Sequence, residues 1–276
     1  MARFLLAVMI VFAAGLFLVP RLARADDKYI VLASTTSVDN SGLLKHLLPI
    51  FKQASGIDVR VVALGTGQAL DVARRGDADL VLVHDPDAEA KFIGEGHGIN
   101  RRELAWNDFV IVGPSADPAK LKGNRDVLAA FHAIWNAQAP FVSRGDKSGT
   151  DALEKRLWKA AGLDVTKVGP WCKDIGGGMG AALNAAAGMD AYTLTDRGTW
   201  LSFQNRRDLT IVLQGDPRLI NRYDVIELNP KLHPQAKLGL AKQFADWLVS
   251  PAGQHAIGDY EMAGQKLFHP EADAKP

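Results

Sequence analysis

Strand-length runs without polar alternation, each followed by a segment of helical periodicity, constrain this chain most. Lys28 to Ser34 is a continuous apolar run, Ile57 to Leu64 is the next strand, and Ala78 to Val83 a third. Between them Ser41 to Ala54 places Leu43, Leu44, Leu47, Leu48 and Phe51 at helical spacing, and Gly67 to Arg75 forms a second helix. Gly56 ends the first helix, and Pro49 inside it predicts a kink because it removes one backbone donor. Strands that are apolar on both faces and alternate with helices belong in a mostly parallel sheet flanked by helices. The fold class is therefore α/β.

The first ~25 residues are excluded from that reading. Arg3 is a positive leader, Phe4 to Val19 is almost wholly apolar, and Ala23-Arg24-Ala25 has the small-x-small form of an export cleavage site. A signal peptide over 1–25, cut after Ala25, is the expectation, with an uncleaved anchor as the alternative. No cysteine follows at a cleavage point to take a lipoprotein anchor, so an exported, periplasmic protein follows. The remainder is long enough for two lobes, and 47% hydrophobic with 23% charged residues is a globular balance. A net charge of +1 argues against a nucleic-acid partner, which needs a basic face. Cys172, the single cysteine, excludes an intrachain disulfide and a cysteine metal cluster; a buried structural role is expected for it.

The pattern changes after Val83. Ala88 to Gly98 reads as a short helix and loop, and Leu104 to Val112 as a strand leading to a crossing near Gly113 to Asp117. A second lobe follows, with a helix over Arg125 to Ala137, a strand at Phe141, a helix opening at Ser148, Gly-rich Gly176 to Gly180 before the helix Ala181 to Ala187, and a strand over Asp190 to Thr195. A return near Thr199 to Arg207 gives a first lobe of 26–113 and 206–276 and a second of 114–205. In the first lobe lie strands over Asp208 to Leu213 and Tyr223 to Leu228, and the amphipathic helix Leu238 to Val249 that packs back on it. Trp158 and Trp247 have helical spacing to apolar neighbours and read as core; Ala272 to Pro276 reads as disordered.

Chemistry concentrates at the corners where strands enter helices. Phe141 to Thr150 (F-V-S-R-G-D-K-S-G-T) ends a strand, turns at Gly145 and Gly149, and caps a helix through Ser148 and Asp151. The first N–H groups of that helix have no internal acceptor, its dipole is positive there, and Arg144 adds a forked cation. That is a seat for an oxyanion. Ser34-Thr35-Thr36-Ser37 and Gly65-Thr66-Gly67-Gln68 hold the equivalent position on their strands, beyond the carboxyl edge where open sheets bind ligands. A tetrahedral oxyanion offers only acceptors, so N–H groups, hydroxyls and one arginine complement it.

Competing chemistries lack their motifs. There is no G-x-x-x-x-G-K-[ST], no G-x-S-x-G elbow, and no histidine spacing for a metal. His84, Asp85 and Asp87 read as a solvated strand-to-helix turn. Asp146-Lys147-Ser148-Gly149-Thr150 is similar to the D-K-T-G-T segment of aspartyl-phosphate phosphotransferases. That chemistry needs a second acidic cluster for magnesium, for which Gly215-Asp216-Pro217 is a poor source. Asp146 is expected to orient its loop or pair with Arg144 or Lys147.

Taken in order, Leu32 to Ser37 with Ser41 to Leu44, Gly65 to Leu70, Asp79 to His84, Ser143 to Asp146 with Ser148 to Thr150, and Ala191 to Gly198 resemble the periplasmic tungstate-binding proteins of bacterial ABC importers. The resemblance covers nearly the whole mature chain. It implies a two-lobed type II periplasmic-binding-protein fold, joined by a two-stranded hinge and closing on one oxyanion, and no enzyme activity or cofactor. It also implies a monomer that delivers tungstate, or molybdate, to a membrane ABC permease; sulfate and phosphate are the other tetrahedral anions. Carried over by position, ligand contacts fall on Thr35, Thr36, Ser37 and Thr66 in one lobe and Arg144, Ser148 and Thr150 in the other, with Thr193 a further candidate.

Overall fold

The structure, a computed structural model, describes residues 28–272; the leader and its cleavage site lie outside that range. Strands β1 (Tyr29–Thr35), β2 (Asp58–Leu64) and β3 (Leu80–Val83) are parallel, with β1 in the middle. Helices α1 (Thr36–Asn40) and α2 (Leu43–Ser55) connect β1 to β2, α3 (Thr66–Arg74) connects β2 to β3, and α4 (Pro86–Gly94) follows. The missing polar alternation has a direct cause. Ile30, Leu32, Leu80 and Leu82 pack with Leu47 and Phe51 on one face, while Ala33, Val81 and Val83 pack with Leu70 and Phe92 on the other. Pro49 does not interrupt α2, because both it and Lys45, whose carbonyl loses its donor, are exposed to water.

Strand β4 (Gly98–Pro114) is longer than expected and belongs to two layers. After it come α5 (Val127–Ala137), β5 (Phe141–Ser143), α6 (Gly149–Ala160), β6 (Cys172–Asp174), α7 (Met179–Met189), β7 (Thr193–Asp196), α8 (Arg197–Ser202), β8 (Leu209–Leu213) and β9 (Ile220–Leu228). The first part of β4, through Asp108, pairs antiparallel with β9, which lies antiparallel beside β3; from Phe109 onward β4 pairs with β7 and β8. The parallel order therefore holds for β1 to β3 and for β5 with β6, and the strands that cross between layers are antiparallel. Around the second part, Phe109, Ile111, Phe131, Phe141 and Trp158 form one core and Val110, Val112, Val142, Leu183 and Trp200 another.

The chain returns later than the polar stretch after Thr199 implies. Strand β8 pairs with Ile111 to Pro114, and its Val212 and Leu213 bury in the cluster of Phe131 and Trp158, so it stays with the second core. The return runs through β9, whose Ile220 to Arg222 pair with Asp108 to Trp106. Helices α9 (Leu238–Leu248) and α10 (Pro251–Gly258) place Phe244, Leu248 and Ile257 against Ile30 and Leu32. Trp247 packs beside Phe51, ring centroids 5.4 Å apart. Ala272 is held rather than free: its N–H donates to Gln254 Oε1 at 3.1 Å. Cys172 is half-buried, not fully buried, and burial pushes its thiol up to about 12, so it stays protonated.

Candidate functional site

The corners after β1, β2 and β5 face one cleft, lined by Thr36, Gly65 and Gly67 from the first layer and by Arg144, Ser148 and Gly178 from the second. Each corner is fixed locally. Thr35 caps α1, its Oγ1 accepting from Val38 N–H at 3.2 Å. Gln68 reaches back from α3 to the Gly65 N–H at 3.4 Å. Ser148 Oγ accepts from Asp151 N–H at 3.3 Å, the S-x-x-D cap read from the sequence. Gly145 and Lys147 take φ of 61° and 59°, folding the loop back so that Arg144 and Ser148 face the same space. The carbonyl of Arg144 accepts from Gly177 N–H at 3.2 Å, which draws the Gly-rich start of α7 to the site.

Arg144 and Lys147 line the cleft together with the carboxylates of Asp71 and Asp146. First-turn N–H groups of α3, α6 and α7 have no intrahelical partner. Arg144, 4% exposed, gives one Nη to Thr150 Oγ1 at 3.2 Å and the other to Asp146, while its Nε is buried without a partner. Thr66 Oγ1 is also buried and unpartnered. Buried polar groups are nearly always paired, and of the eight buried side-chain atoms without a hydrogen-bond partner among the described residues these two are the donors beside the cleft, available to an acceptor there. Burial raises the Asp146 carboxyl, but hydrogen bonds from Ser148 and the charge of Arg144 outweigh it and hold the pKa below its usual value. Asp146 is thus ionised and offsets most of the arginine charge. Attraction for an anion then comes from oriented N–H groups and dipoles as much as from net charge.

The expected contacts divide. Thr36, Arg144 and Ser148 line the cleft; Thr66 lies at its base, 3.4 Å from where a Cβ on Gly149 would stand; Thr150 is held by Arg144. Thr35 faces inward to His84, at 3.0 Å. Ser37 is half-buried, its carbonyl accepting from Ser41 N–H, and Thr193 donates to the Val142 carbonyl at 2.8 Å within the sheet. His84 and Asp85 are not solvated, at 5% and 6% exposure; Asp87 is. Arg156 of α6 reaches across to Asp85 and Asp87 at 3.3 and 3.2 Å, bridging the two layers. Gly178 and His84 were missed, although the first closes a Gly-rich run before a helix and the second ends an apolar strand at the same sheet edge as Thr35. Among the described residues no group of three or more His, Cys, Asp or Glu is placed to hold a metal ion, and Asp146 is engaged by Arg144.

Glu154, a turn and a half into α6, ties the site to pH. It is 3% exposed, bonds Trp158 Nε1 at 3.3 Å and Ser143, and burial pushes its carboxyl up to about 8. The native state keeps a proton that the unfolded chain releases from about pH 4.5 upward, so this contribution to stability is complete below that pH and is lost as pH rises to about 8. Glu154→Gln keeps the neutral hydrogen bonds. Its unfolding free energy should exceed that of wild type increasingly between pH 5 and 8, by on the order of a few kcal/mol at pH 8, read as a widening gap in thermal midpoint. Parallel midpoint curves would show that Glu154 carries its charge in the fold.

Comparison with known proteins agrees with this architecture. Residues 22–252 match the family described as PBP superfamily domain. The chain is 43% identical over 247 residues to the tungstate-binding protein TupA of Peptoclostridium acidaminophilum, covering 88% of this chain and 86% of that one. It is 37% identical to TupA of Campylobacter jejuni, with 84% and 87% covered. The solved structure of TupA from Desulfovibrio alaskensis G20 superposes with a TM-score of 0.80 at 43% identity, covering 88% of this chain and 98% of that one. The chain belongs to the PBP superfamily and, within it, to the family of the TupA tungstate-binding proteins.

Proposed function

We propose that the protein is an extracytoplasmic substrate-binding protein that takes up tungstate in the cleft and delivers it to a membrane ABC permease. One observation carries the reading: Thr66 Oγ1 and Arg144 Nε, both buried donors without partners, stand on opposite walls beside the N-termini of α3 and α6. A doubly charged tetrahedron of acceptors meets both at once. The names of the relatives supply tungstate as the anion. In this reading Thr36, Thr66, Arg144, Ser148 and Thr150 contact the ligand, Ser37 contributes from the same corner, and Thr35 supports it from beneath. The lobes are residues 28–108 with 220–272, and 109–219, hinged where β4 and β9 cross. The leader is removed after export, and the mature chain works as a monomer without cofactor.

Calorimetric titration of the mature protein with tungstate, molybdate, sulfate and phosphate under one set of conditions tests this. Tungstate and molybdate, nearly equal in size and charge, should bind far more tightly than the smaller sulfate and phosphate. Equal affinity for sulfate would overturn the ligand assignment. A phosphotransferase would instead turn over a phosphoester with magnesium and lose that activity in Asp146→Asn.

A further inference from the structure

His84 directly follows β3 at the same sheet edge as Thr35 and Gly65, and it meets three parts of the molecule. Nε2 lies 3.0 Å from Thr35 Oγ1, and Nδ1 lies 3.0 Å from Asn221 Oδ1 on the crossing strand β9. A Cβ built on Gly149, the first residue of α6 in the other lobe, would be 3.1 Å from its Cε1.

The amide orientations of Asn107 and Asn221 assign the proton positions. Asn221 gives its amide N–H groups to Asn107 Oδ1 at 2.9 Å and Tyr223 Oη at 2.7 Å, so its oxygen is left to accept from His84 Nδ1–H. Nε2 then carries the lone pair and takes the hydroxyl hydrogen of Thr35, whose oxygen already accepts from Val38 N–H. Thr35 has no hydrogen left for an anion that itself only accepts. Burial holds the imidazole below its usual pKa; Asp196 and Asp85 oppose that and Arg144 adds to it. The Tyr223 ring lies tilted against His84, centroids 5.0 Å apart, on the hinge side and carries no charge.

We propose that His84 is a positioning residue of the cleft: it ties the Thr35 corner to the hinge strand through Asn221 and forms the floor on which Gly149 rests when the lobes meet. It touches no ligand. This rests on the oxyanion reading above, and it differs from the expected role of Thr35, which acts here through His84 rather than on the anion.

The test compares wild type, His84→Phe, His84→Gln, Thr35→Val and the His84→Phe/Thr35→Val double variant, by tungstate titration and by ligand-free thermal midpoint. His84→Phe and Thr35→Val should each weaken binding by about tenfold or more, since each breaks a buried hydrogen bond beneath the corner. The double variant should lie within about twofold of His84→Phe, because both changes remove one interaction. His84→Gln, whose amide can still accept from Thr35, should recover affinity even where its midpoint is as low as that of the Phe variant. Wild-type affinity in His84→Phe, additive losses in the double variant, or equal losses for Gln and Phe would overturn the assignment. If the Phe variant fails to fold, Thr35→Val must lose affinity and His84→Gln retain it, or the assignment is wrong. A wild type that binds none of the four oxyanions would remove both the reading and this role; a binding wild type with an unaffected Thr35→Val removes only the role.

Discussion

Arg144→Ala should lose tungstate affinity by roughly 100-fold or more, since charge-assisted hydrogen bonds to a buried anion are worth about 1.5–3 kcal/mol each and 1.4 kcal/mol is a factor of ten. The loss has two sources. The variant gives up the unpartnered Nε–H and the grip on Thr150, and it leaves Asp146, held ionised beside the cleft, without its countercharge. Repulsion between that carboxylate and a dianion adds to the missing bonds. Arg144→Lys separates the two: a lysine restores a point charge near Asp146 but not the planar fork, so its affinity should fall between alanine and wild type. Titration calorimetry on folded variants reads this directly. Wild-type affinity in Arg144→Ala would place the anion elsewhere.

That prediction was legible in the sequence because the arginine corner is local. Ser148 capping Asp151 and the turn at Gly145 are set by residues within ten positions of one another, and local rules are strong there. The missing polar alternation of Leu80 to Val83 likewise announced a sheet buried on both faces. What the sequence hid is long-range. His84 reads as part of a wet turn because Asp85 and Asp87 follow it, yet its buried partner, Asn221, is 137 positions away on a strand antiparallel to β3. Strand β8 was misplaced for a similar reason: the polar stretch before it resembles a linker, and only its pairing with the far end of β4 shows which core it serves. Asp146 is expected from the sequence to orient its loop or pair with Arg144 or Lys147, and it does both, accepting from Ser148 N–H and from Arg144, but the consequence, a site with little net charge, required the geometry.

A low net charge shifts the burden of binding onto closure. N–H groups and hydroxyls act at hydrogen-bond range, so donors on one wall hold an anion weakly until those of the other wall arrive and water leaves. The surfaces that meet across the cleft are small. Gly149 approaches Thr66 and His84, and Arg156 reaches Asp85 and Asp87 through a half-exposed ion pair worth about 0–1 kcal/mol in such a setting. These contacts across the cleft are modest, and the larger one between the lobes is made away from them by α8, whose Leu201 packs in the core of Ile30 and Phe268; differential contact with the ligand must drive the population toward the closed form.

Gly149→Val tests that dependence more severely than any change to a ligand-facing group, because it leaves every proposed donor in place. Gly149 does not need an unusual backbone; it needs space, since an added Cβ would stand 3.1 Å from His84 Cε1 and 3.4 Å from Thr66 Oγ1. Alanine asks the ring to yield by a few tenths of an ångström, and its affinity should stay near wild type. Valine adds two methyl groups to a gap with no room. Overpacking of that kind costs about 1–3 kcal/mol, and it appears only in the closed form, because opening the hinge relieves it. Ligand-free stability should therefore remain close to wild type while tungstate affinity falls about ten- to a hundredfold. Small-angle scattering should show the valine variant keeping its open profile at tungstate concentrations that contract the wild type. If the valine variant contracts and binds as the wild type does, the first turn of α6 does not meet β3 in the bound state, and the two walls do not close on one anion.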